Sequence, residues 1–332
     1  MSSLLSFREI QAAANRLSGI ALRTPLVPLR IGEDQVLIKA ESLQPTGAFK
    51  LRGAYAAISA LPTEQRSCGV VAHSSGNHAY AVAYAAAALG VPATVVVPDN
   101  APAVKVAAAA SAGATIVTCA PNLAARTAAV AELIAAHGFT PIPPFDHRDV
   151  IAGQGTVGLE ISEDCPDVDL VLCPVGGGGL LSGIAVAIKA ANPAAVVIGV
   201  EPELAADARD SLRTGQRVAW PAADTARTIA DALRVEQIGE LPMLHFTALV
   251  DDIVTVSDEE IMAAMRLLAT RARLVAEPGG AVAVAACVFR SAQLPQATRK
   301  VAVLSGGNVD PALLATVLSS DQTAALLASA TT

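Results

Sequence analysis

The stretch VDLVLCPVGGGGLLSG, residues 168–183, decides the fold of this chain more directly than any other. Its first half is a short Val- and Leu-rich run, which is typical of a buried strand, and its second half is small and apolar, as at the start of a buried helix. Four consecutive glycines, Gly176 to Gly179, join the two halves. A strand that passes through a tight turn into a helix predicts a parallel sheet covered by helices.

The four glycines also predict an anion site. Consecutive glycines allow backbone N–H groups to turn inward, and the helix that follows adds the positive end of its dipole. A tight turn alone needs only one glycine. Four of them therefore favour a loop that binds phosphate without a basic side chain.

The same alternation of strand and helix recurs through most of the chain. Strands are predicted at GVVAHSS, ATVVVP, ATIVTCA, AVVIGVEP and KVAVLSGGN, with helices between them, one of which extends from about Asn77 to Leu89. We therefore expect an α/β fold with two open, twisted, mostly parallel sheets flanked by helices. The proline-rich TPIPPFDHRDV (residues 140–150) is predicted to link two α/β units, and DQTAALLASATT (residues 321–332) to form a frayed tail.

Composition excludes several classes of protein. The chain has 332 residues, 53% hydrophobic and 16% charged, and a net charge of −7, so nothing favours binding to nucleic acid or an anionic membrane. The five cysteines are scattered without a CxxC pair, which disfavours zinc and disulfides and predicts a cytoplasmic protein. No signal peptide is predicted at the N-terminus, and the longest apolar run is broken at Gly90 and Pro92.

Nucleotide binding is the first alternative for the glycine loop. A phosphate-binding P-loop needs a lysine after its last glycine, and none is present here. A dinucleotide fingerprint needs a third glycine where Ser182 stands, although Glu201 follows about 20 residues on, where an acid would contact a ribose. An NAD-dependent dehydrogenase is therefore a remote alternative.

Three further segments carry side chains that suit catalysis. HSSGNH (residues 73–78) joins a strand to a helix and holds more polar groups than a helix cap needs. LSGGNVD (residues 304–310) follows another apolar strand, so its hydroxyl lies at the same kind of sheet edge. In ESLQPTGAFKLRGA (residues 41–54), Lys50 stands in an apolar setting, where it is either an ordinary solvated cation or an amine used as a nucleophile.

These segments, in this order, resemble the fold-type II pyridoxal-phosphate enzymes of the serine/threonine dehydratase and serine racemase family. The matching motifs are TGAFKLRGA, SSGNHA, IAGQGT, PVGGGGLLSGIA, TIAD, EPGGA and LSGGNVD. The resemblance implies a fold like that of the tryptophan synthase β subunit. It also implies a large cofactor-binding domain of residues 1–68 and 148–320, a small domain of residues 69–147, and a tail of residues 321–332.

The resemblance assigns roles to individual residues. Lys50 would carry pyridoxal 5'-phosphate as a Schiff base and remove the α-proton of the substrate, and Ser75 would exchange a proton on the opposite face. The cofactor contacts implied are Phe49, Lys50, Asn77, Gly176, Gly177, Gly178, Gly179, Leu180 and Ser305. The contacts implied for the substrate carboxylate are Ser74, Ser75, Asn77 and His78.

The implied reaction is the loss of water from a β-hydroxy amino acid. Ser305 would meet the pyridine nitrogen as a hydroxyl, which cannot fix a full positive charge there, so loss of the β-substituent should be favoured over transamination. The products would be a 2-keto acid and ammonia. Serine, threonine, 3-hydroxyaspartate and phenylserine are the candidate substrates, and a serine or hydroxyaspartate racemase that uses Lys50 and Ser75 is the alternative within the family.

The resemblance also implies a site for a divalent cation. Glu201, the carbonyl of Ala205 and Asp207 would supply oxygen ligands to Mg²⁺, Ca²⁺ or Mn²⁺. Two carboxylates alone indicate little, because most acidic pairs are solvated. A homodimer is expected from the resemblance only.

Several residues depart from the family pattern or carry weaker signals. Tyr80 stands where the family usually has glutamine, and Ala232 where it has glycine. Both positions lie near the pocket in the family, so the resemblance is compatible with a substrate that has a larger side chain, such as phenylserine. Arg126 is expected to be solvated, although it could reach an acidic substrate. Glu277 lies either near the ring nitrogen or at a turn. The remaining histidines, His137, His147 and His245, are expected to be structural.

Overall fold

The computed structural model describes residues 3–74, 76–101 and 103–331, and within them ten strands form two sheets. The strands are β1 (Leu26–Ile31), β2 (Asp34–Ala40), β3 (Val70–His73), β4 (Ala93–Pro98), β5 (Thr115–Cys119), β6 (Thr140–Pro141), β7 (Leu170–Pro174), β8 (Val196–Pro202), β9 (Asp252–Val256) and β10 (Lys300–Leu304). The predicted α/β fold with mostly parallel sheets is confirmed.

The larger sheet has six strands in the order β1-β2-β10-β7-β8-β9. Only β1 is antiparallel to its neighbour, and the other pairs are parallel. Every residue of β7 is buried, as expected for a central strand covered on both faces. The last strand of the chain, β10, lies between β2 and β7 in the middle of this sheet.

The smaller sheet has four parallel strands in the order β5-β4-β3-β6. The predicted strands GVVAHSS, ATVVVP and ATIVTCA correspond to β3, β4 and β5. Part of the predicted linker instead forms β6, which pairs with β3 and completes this sheet.

Helices cover both sheets. They are α1 (Phe7–Leu17), α2 (Lys50–Ala60), α3 (Thr63–Cys68), α4 (Asn77–Leu89), α5 (Ala103–Ser111), α6 (Leu123–His137), α7 (Arg148–Asp164), α8 (Gly179–Ala191), α9 (Asp207–Thr214), α10 (Ala222–Thr225), α11 (Glu240–Leu249), α12 (Asp258–Leu267), α13 (Pro278–Phe289), α14 (Pro311–Ser319) and α15 (Asp321–Thr331). The bounds of α4 agree with the predicted helix, and Gly90 ends it with a left-handed φ of 66°.

Helix α2 connects the two sheets. Its Leu51, Ala54 and Ile58 lie in the same apolar cluster as Val70 of β3 and Val95 of β4. Its first residue, however, faces the end of the larger sheet, as described below. The limits of the two domains stay a prediction. Helix α2 lies within the predicted large domain, yet its apolar face packs against the smaller sheet.

The prediction of a frayed tail is wrong for residues 321–331, which form α15. Thr323 and Leu327 are spaced four residues apart and are both buried, and Leu327 belongs to the apolar cluster that contains Ile261 of α12. This i, i+4 spacing places both side chains on one helical face, so packing orders the segment.

Within the described residues, no helix is both long enough and apolar enough to cross a membrane.

Candidate active site

A cavity of about 280 Å³ lies where β3, β7 and β10 end. Its wall includes His73 at the end of β3, Pro174 at the end of β7 and Ser305 just after β10. Ligands of parallel α/β sheets bind beyond the carboxyl ends of their strands. The two sheets therefore meet at the place where chemistry is expected.

Lys50 is the first residue of α2 and lines this cavity. Its Nζ donates a hydrogen bond to the carbonyl of Pro144 at 2.7 Å and lies 5.1 Å from the centroid of the Phe49 ring. Burial lowers the pKa of the Lys50 amine from 10.5 to about 8, although the negative charge of Glu277 opposes this. A substantial fraction of the amine is therefore neutral near physiological pH, as a nucleophile or a base requires.

The loop Gly176–Gly179 lines the same cavity. Gly178 has a φ of 90°, and a Cβ added there would lie 2.7 Å from the Cβ of Pro242, so only glycine fits. The N-cap of α8 is Gly178 itself, which has no side chain to satisfy the first N–H groups of that helix. These free donors, at the positive end of a helix, suit a phosphate group.

The β3–α4 loop forms a third wall. Nδ2 of Asn77 donates to a Glu277 carboxylate oxygen at 2.6 Å, and Oδ1 of Asn77 accepts from Nδ2 of Asn308 at 2.8 Å. Ser74 also lines the cavity. Ser75 lies outside the described residues, so its predicted role stays a prediction.

His78 is held in a neutral form. Its Nε2 lies 2.8 Å from the carbonyl of Ile142. Burial, with the nearby charge of Lys50, lowers the pKa of His78 to about 3. The neutral ring therefore donates its Nε2–H to Ile142, and in this conformation that hydrogen is not free for the predicted contact with a substrate carboxylate.

Glu277 and Ser305 also line the cavity. Glu277 is the N-cap residue of α13, yet its side chain makes no cap hydrogen bond and instead lines the cavity against Asn77. The backbone carbonyl of Ser305 accepts a hydrogen bond from the N–H of Phe49 at 3.0 Å. The residue before Lys50 is thereby tied to the end of β10.

Arg126, which was expected to be solvated but able to reach an acidic substrate, is half-buried on α6 and lines the cavity. Its Nε is buried without a hydrogen-bond partner among the described residues. Burial and the positive charge of Arg126 lower the pKa of neighbouring His73. The cavity wall therefore contains a cation whose Nε–H has no partner among the described residues.

Two of the histidines expected to be structural, His245 and His137, make contacts away from the cavity. His245 is buried, and its Nε2 accepts the N–H of Leu5 at 2.9 Å. The ring of His137 stacks on Phe139 with a centroid distance of 5.0 Å. Neither residue lies at the cavity described above.

The predicted metal ligands Glu201, Ala205 and Asp207 are all buried. Burial raises the pKa of Asp207 to about 7, and neither of its oxygens accepts a hydrogen bond of normal geometry from the described residues. Burial and the neighbouring Asp207 charge raise the pKa of Glu201 well above its usual value. Two buried carboxyl groups, of which Asp207 has both oxygens without a hydrogen-bond partner among the described residues, fit a divalent cation, which would replace their protons.

Two further observations bear on the predicted uses of Glu201. Its carboxylate accepts the N–H groups of Ala208 and Arg209 at 3.1 and 2.8 Å, so it is not directed at a ribose on the glycine loop. In the described part of the chain, no group of three His, Cys, Asp or Glu side chains could hold a metal. A cation here would thus need main-chain oxygens, such as the Ala205 carbonyl, and water.

The cavity as a whole suits a small aldehyde that carries a phosphate. A partly neutral amine lies on one wall, free helix N–H groups lie on another, and the Phe49 ring lies beside the amine. Sequence reasoning found these three elements because each is a local motif. It missed Phe145, whose ring lies against Gly177, and Asn308, which holds Asn77.

Comparison with known proteins agrees with this geometry. A family model described as pyridoxal-phosphate dependent enzyme matches residues 17–306. The chain is 42% identical to an L-threo-3-hydroxyaspartate ammonia-lyase of Saccharomyces cerevisiae, over 95% of this chain and 96% of the relative. It is 43% identical to a catabolic L-threonine dehydratase of Escherichia coli K12, over 91% and 92%. The structure of maize serine racemase superposes with a TM-score of 0.90 at 36% identity, over 95% of this chain and 97% of that one.

Proposed function

This chain belongs to the family of pyridoxal-phosphate dependent enzymes, and on that premise we propose that it is an ammonia-lyase that converts a β-hydroxy amino acid to a 2-keto acid and ammonia. The family inferred from the sequence is confirmed. The reaction balances, because elimination releases one water molecule and hydrolysis of the resulting enamine consumes one.

The observation that carries the proposal is that Lys50 and the glycine loop line one cavity. Bound pyridoxal 5'-phosphate would supply an aldehyde, which condenses with an amine and releases water, and a ring that withdraws electrons from the substrate Cα. The lowered pKa of Lys50 makes its Nζ available to form that bond and later to accept the α-proton. The free N–H groups of Gly176–Gly179 and the start of α8 would hold the phosphate.

The contacts that orient the substrate are proposed from the same geometry. Asn77 would donate to the cofactor once its amide turns from Glu277, and Ser305 would meet the ring nitrogen. Ser74 and the first N–H groups of α4 would hold the substrate carboxylate. His78 would support this loop through its bond to Ile142, and Leu180 and Phe49 would supply apolar contacts.

Among the candidate substrates, 3-hydroxyaspartate fits best. Its second carboxylate would find a partner in Arg126, whose Nε lies unpaired at the cavity wall. Serine, threonine and phenylserine offer no such charge. The 42% identity to a 3-hydroxyaspartate ammonia-lyase supports the same choice.

Racemisation is the second candidate activity. The similarity to maize serine racemase supports it, and so does the presence of Ser75 in the β3–α4 loop. A racemase needs proton donors on both faces of Cα, and Lys50 and Ser75 would be that pair. Ser75→Ala should abolish inversion of L-serine while it spares elimination, and chiral chromatography of the product distinguishes these outcomes. Equal loss of both activities would contradict the role of Ser75.

The metal site and the assembly belong to the proposal as well. Glu201, Asp207 and the Ala205 carbonyl would bind Mg²⁺, Ca²⁺ or Mn²⁺, because burial raises the pKa of both carboxyl groups and a cation would replace their protons. The five described cysteines are all free thiols, which suits the reducing cytoplasm. A homodimer follows from the family resemblance, and sedimentation velocity would test it.

One experiment tests the main proposal. The protein is incubated with pyridoxal 5'-phosphate, reduced with borohydride and digested, and mass spectrometry should then locate the adduct on Lys50. Release of keto acid is measured with 3-hydroxyaspartate, serine, threonine and phenylserine, and Lys50→Met serves as the inactive control. An adduct on another lysine, or keto acid release by Lys50→Met, would overturn the assignment.

A further inference from the structure

Arg52, two residues after Lys50, belongs to a group of four buried, charged side chains. We call this group, Lys39, Glu41, Arg52 and Glu160, the Arg52 cluster. The side chains of Lys39, Glu41 and Arg52 are at most 1% exposed, and that of Glu160 is 13% exposed. Charged groups are seldom buried this deeply, and buried ion pairs add little net stability over apolar replacements. Their more usual benefit is a unique geometry.

Arg52 is the centre of the cluster. Its guanidinium forms a two-point contact with Glu41, at 2.8 Å through both Nε and Nη2. It forms a second two-point contact with Glu160, at 2.7 and 2.9 Å through Nη1 and Nη2. It also donates to Thr156 at 3.0 Å, and Lys39 completes the cluster with a 2.5 Å bond to Glu160.

The cluster ties the start of α2 to the larger sheet. Arg52 is two residues after Lys50 in the first turn of α2, whereas Glu41 follows β2 and Glu160 lies on α7. Helix α2 also packs directly on α7, because a Cβ added to Gly153 of α7 would lie 2.4 Å from the carbonyl oxygen of Arg52. Its Leu51 and Ile58 share an apolar cluster with the smaller sheet. The Arg52 cluster adds bonds of fixed direction to the contact between α2 and α7, and it therefore opposes movement of the first turn of α2, which contains Lys50, relative to α7.

Helix α7 continues the connection to the glycine loop. A Cβ added to Gly183 of α8 would lie 2.4 Å from the carbonyl of Ile151 and 2.5 Å from the nitrogen of Gly155, both in α7. The two helix backbones are thus in direct contact, and α8 begins at Gly179. A continuous path of close contacts leads from Lys50 through Arg52 and α7 to the loop.

We infer that Arg52 is a positioning residue that fixes the distance between the Lys50 amine and the Gly176–Gly179 loop. This inference rests on the proposed function, in which Lys50 binds the aldehyde and the loop binds the phosphate of one rigid cofactor. Both ends can engage together only if that distance is correct. The planar fork of arginine meets two carboxylates in fixed directions, whereas a lysine in its place would keep the charge and lose the geometry.

The test compares pyridoxal 5'-phosphate with pyridoxal, which has the same aldehyde and no phosphate. Attachment equilibria are measured by absorbance and confirmed by borohydride trapping for the wild type and Arg52→Lys. We expect Arg52→Lys to weaken attachment of the phosphorylated aldehyde by at least about tenfold and that of pyridoxal by less than about twofold. A general loss of structure would weaken both aldehydes alike.

Matched variants complete the experiment. Arg23→Lys is the control, because Arg23 also bonds to α7, through Glu163 and Asp164, but is half exposed and remote from Lys50 in the sequence; it should change neither equilibrium. Glu160→Gln keeps the size and one acceptor oxygen, so it should lose an intermediate amount of selectivity if Arg52→Lys does not fold. An unchanged ratio in both cluster variants overturns this inference and leaves the proposed function intact. Failure of either aldehyde to attach to Lys50 in the wild type overturns both.

Discussion

Two glycine-containing loops line the same cavity, and they differ in how tightly they are packed. Gly178, in the loop after β7, has a φ of 90° and would place a Cβ 2.7 Å from Pro242. Gly76, in the loop after β3, has a φ of −130° and would place a Cβ in open space, with no atom within 4 Å. The difference indicates a fixed wall on the side of the larger sheet and room for adjustment on the side of the smaller one.

Alanine substitutions in the two loops give the largest expected contrast. Gly178→Ala forces a left-handed backbone and a steric overlap, which together cost about 3 kcal/mol, so binding of pyridoxal 5'-phosphate should weaken by about 100-fold. Gly76→Ala meets no neighbour and should change the same dissociation constant by less than about threefold. Fluorescence titration of the cofactor measures both values. Equal losses of affinity in the two variants would contradict the difference in packing between the two loops.

A second prediction concerns the positive charge of Arg126, which lies on α6 and lines the cavity. Arg126→Gln should reduce kcat/KM for 3-hydroxyaspartate by about 30-fold, since it removes a charged partner of the second carboxylate. The value for serine should stay within about twofold. A keto-acid release assay with both substrates measures the ratio, and a parallel fall for serine would show that Arg126 does not select the substrate.

The pH dependence of cofactor attachment tests the protonation state of Lys50, which lines the same cavity as the two loops. Because burial lowers the pKa of Lys50 to about 8, the rate of reaction with pyridoxal should rise about tenfold per pH unit below pH 8 and level off above it. A rise that continues to pH 10 would indicate an ordinary solvated amine.

The same pKa determines the sign of a stability effect. Between pH 8 and 10.5 the unfolded chain keeps Lys50 protonated while the folded chain does not, so the free energy of unfolding of the cofactor-free protein gains a contribution that increases with pH. Lys50→Met should lack this contribution. Urea unfolding of both proteins across that range measures it.

The smallest expected effect concerns the proposed cation site at Glu201, Ala205 and Asp207. Mg²⁺ at about three times its dissociation constant should stabilise the cofactor-free protein by about 0.8 kcal/mol and so raise its melting temperature by about 2–3 °C. Asp207→Asn removes a proposed ligand and should abolish the rise, whereas Gly76→Ala should keep it. An equal rise in Asp207→Asn would place the cation elsewhere.

Local motifs made much of the molecule predictable. The strand, glycine loop and helix at residues 168–183 follow from one continuous segment, and Lys50 is marked by its immediate neighbours. The role of Arg52 was missed because it depends on contacts between distant segments, since Arg52 meets Glu160 across 108 residues. The terminal helix α15 is ordered by packing on α12, which no property of residues 321–331 alone specifies.

The central place of β10 has a consequence for the synthesis of this protein. Before residue 300 leaves the ribosome, β1 and β2 can pair, and so can β7, β8 and β9, but the facing edges of β2 and β7 have no partner. The 125 residues from Val175 to Arg299 take roughly 10 s to translate, and throughout that time the nascent chain carries two open strand edges. Chains that stall or are cleaved within this interval should therefore depend on chaperones or aggregate, and the active site cannot close until Ser305 arrives.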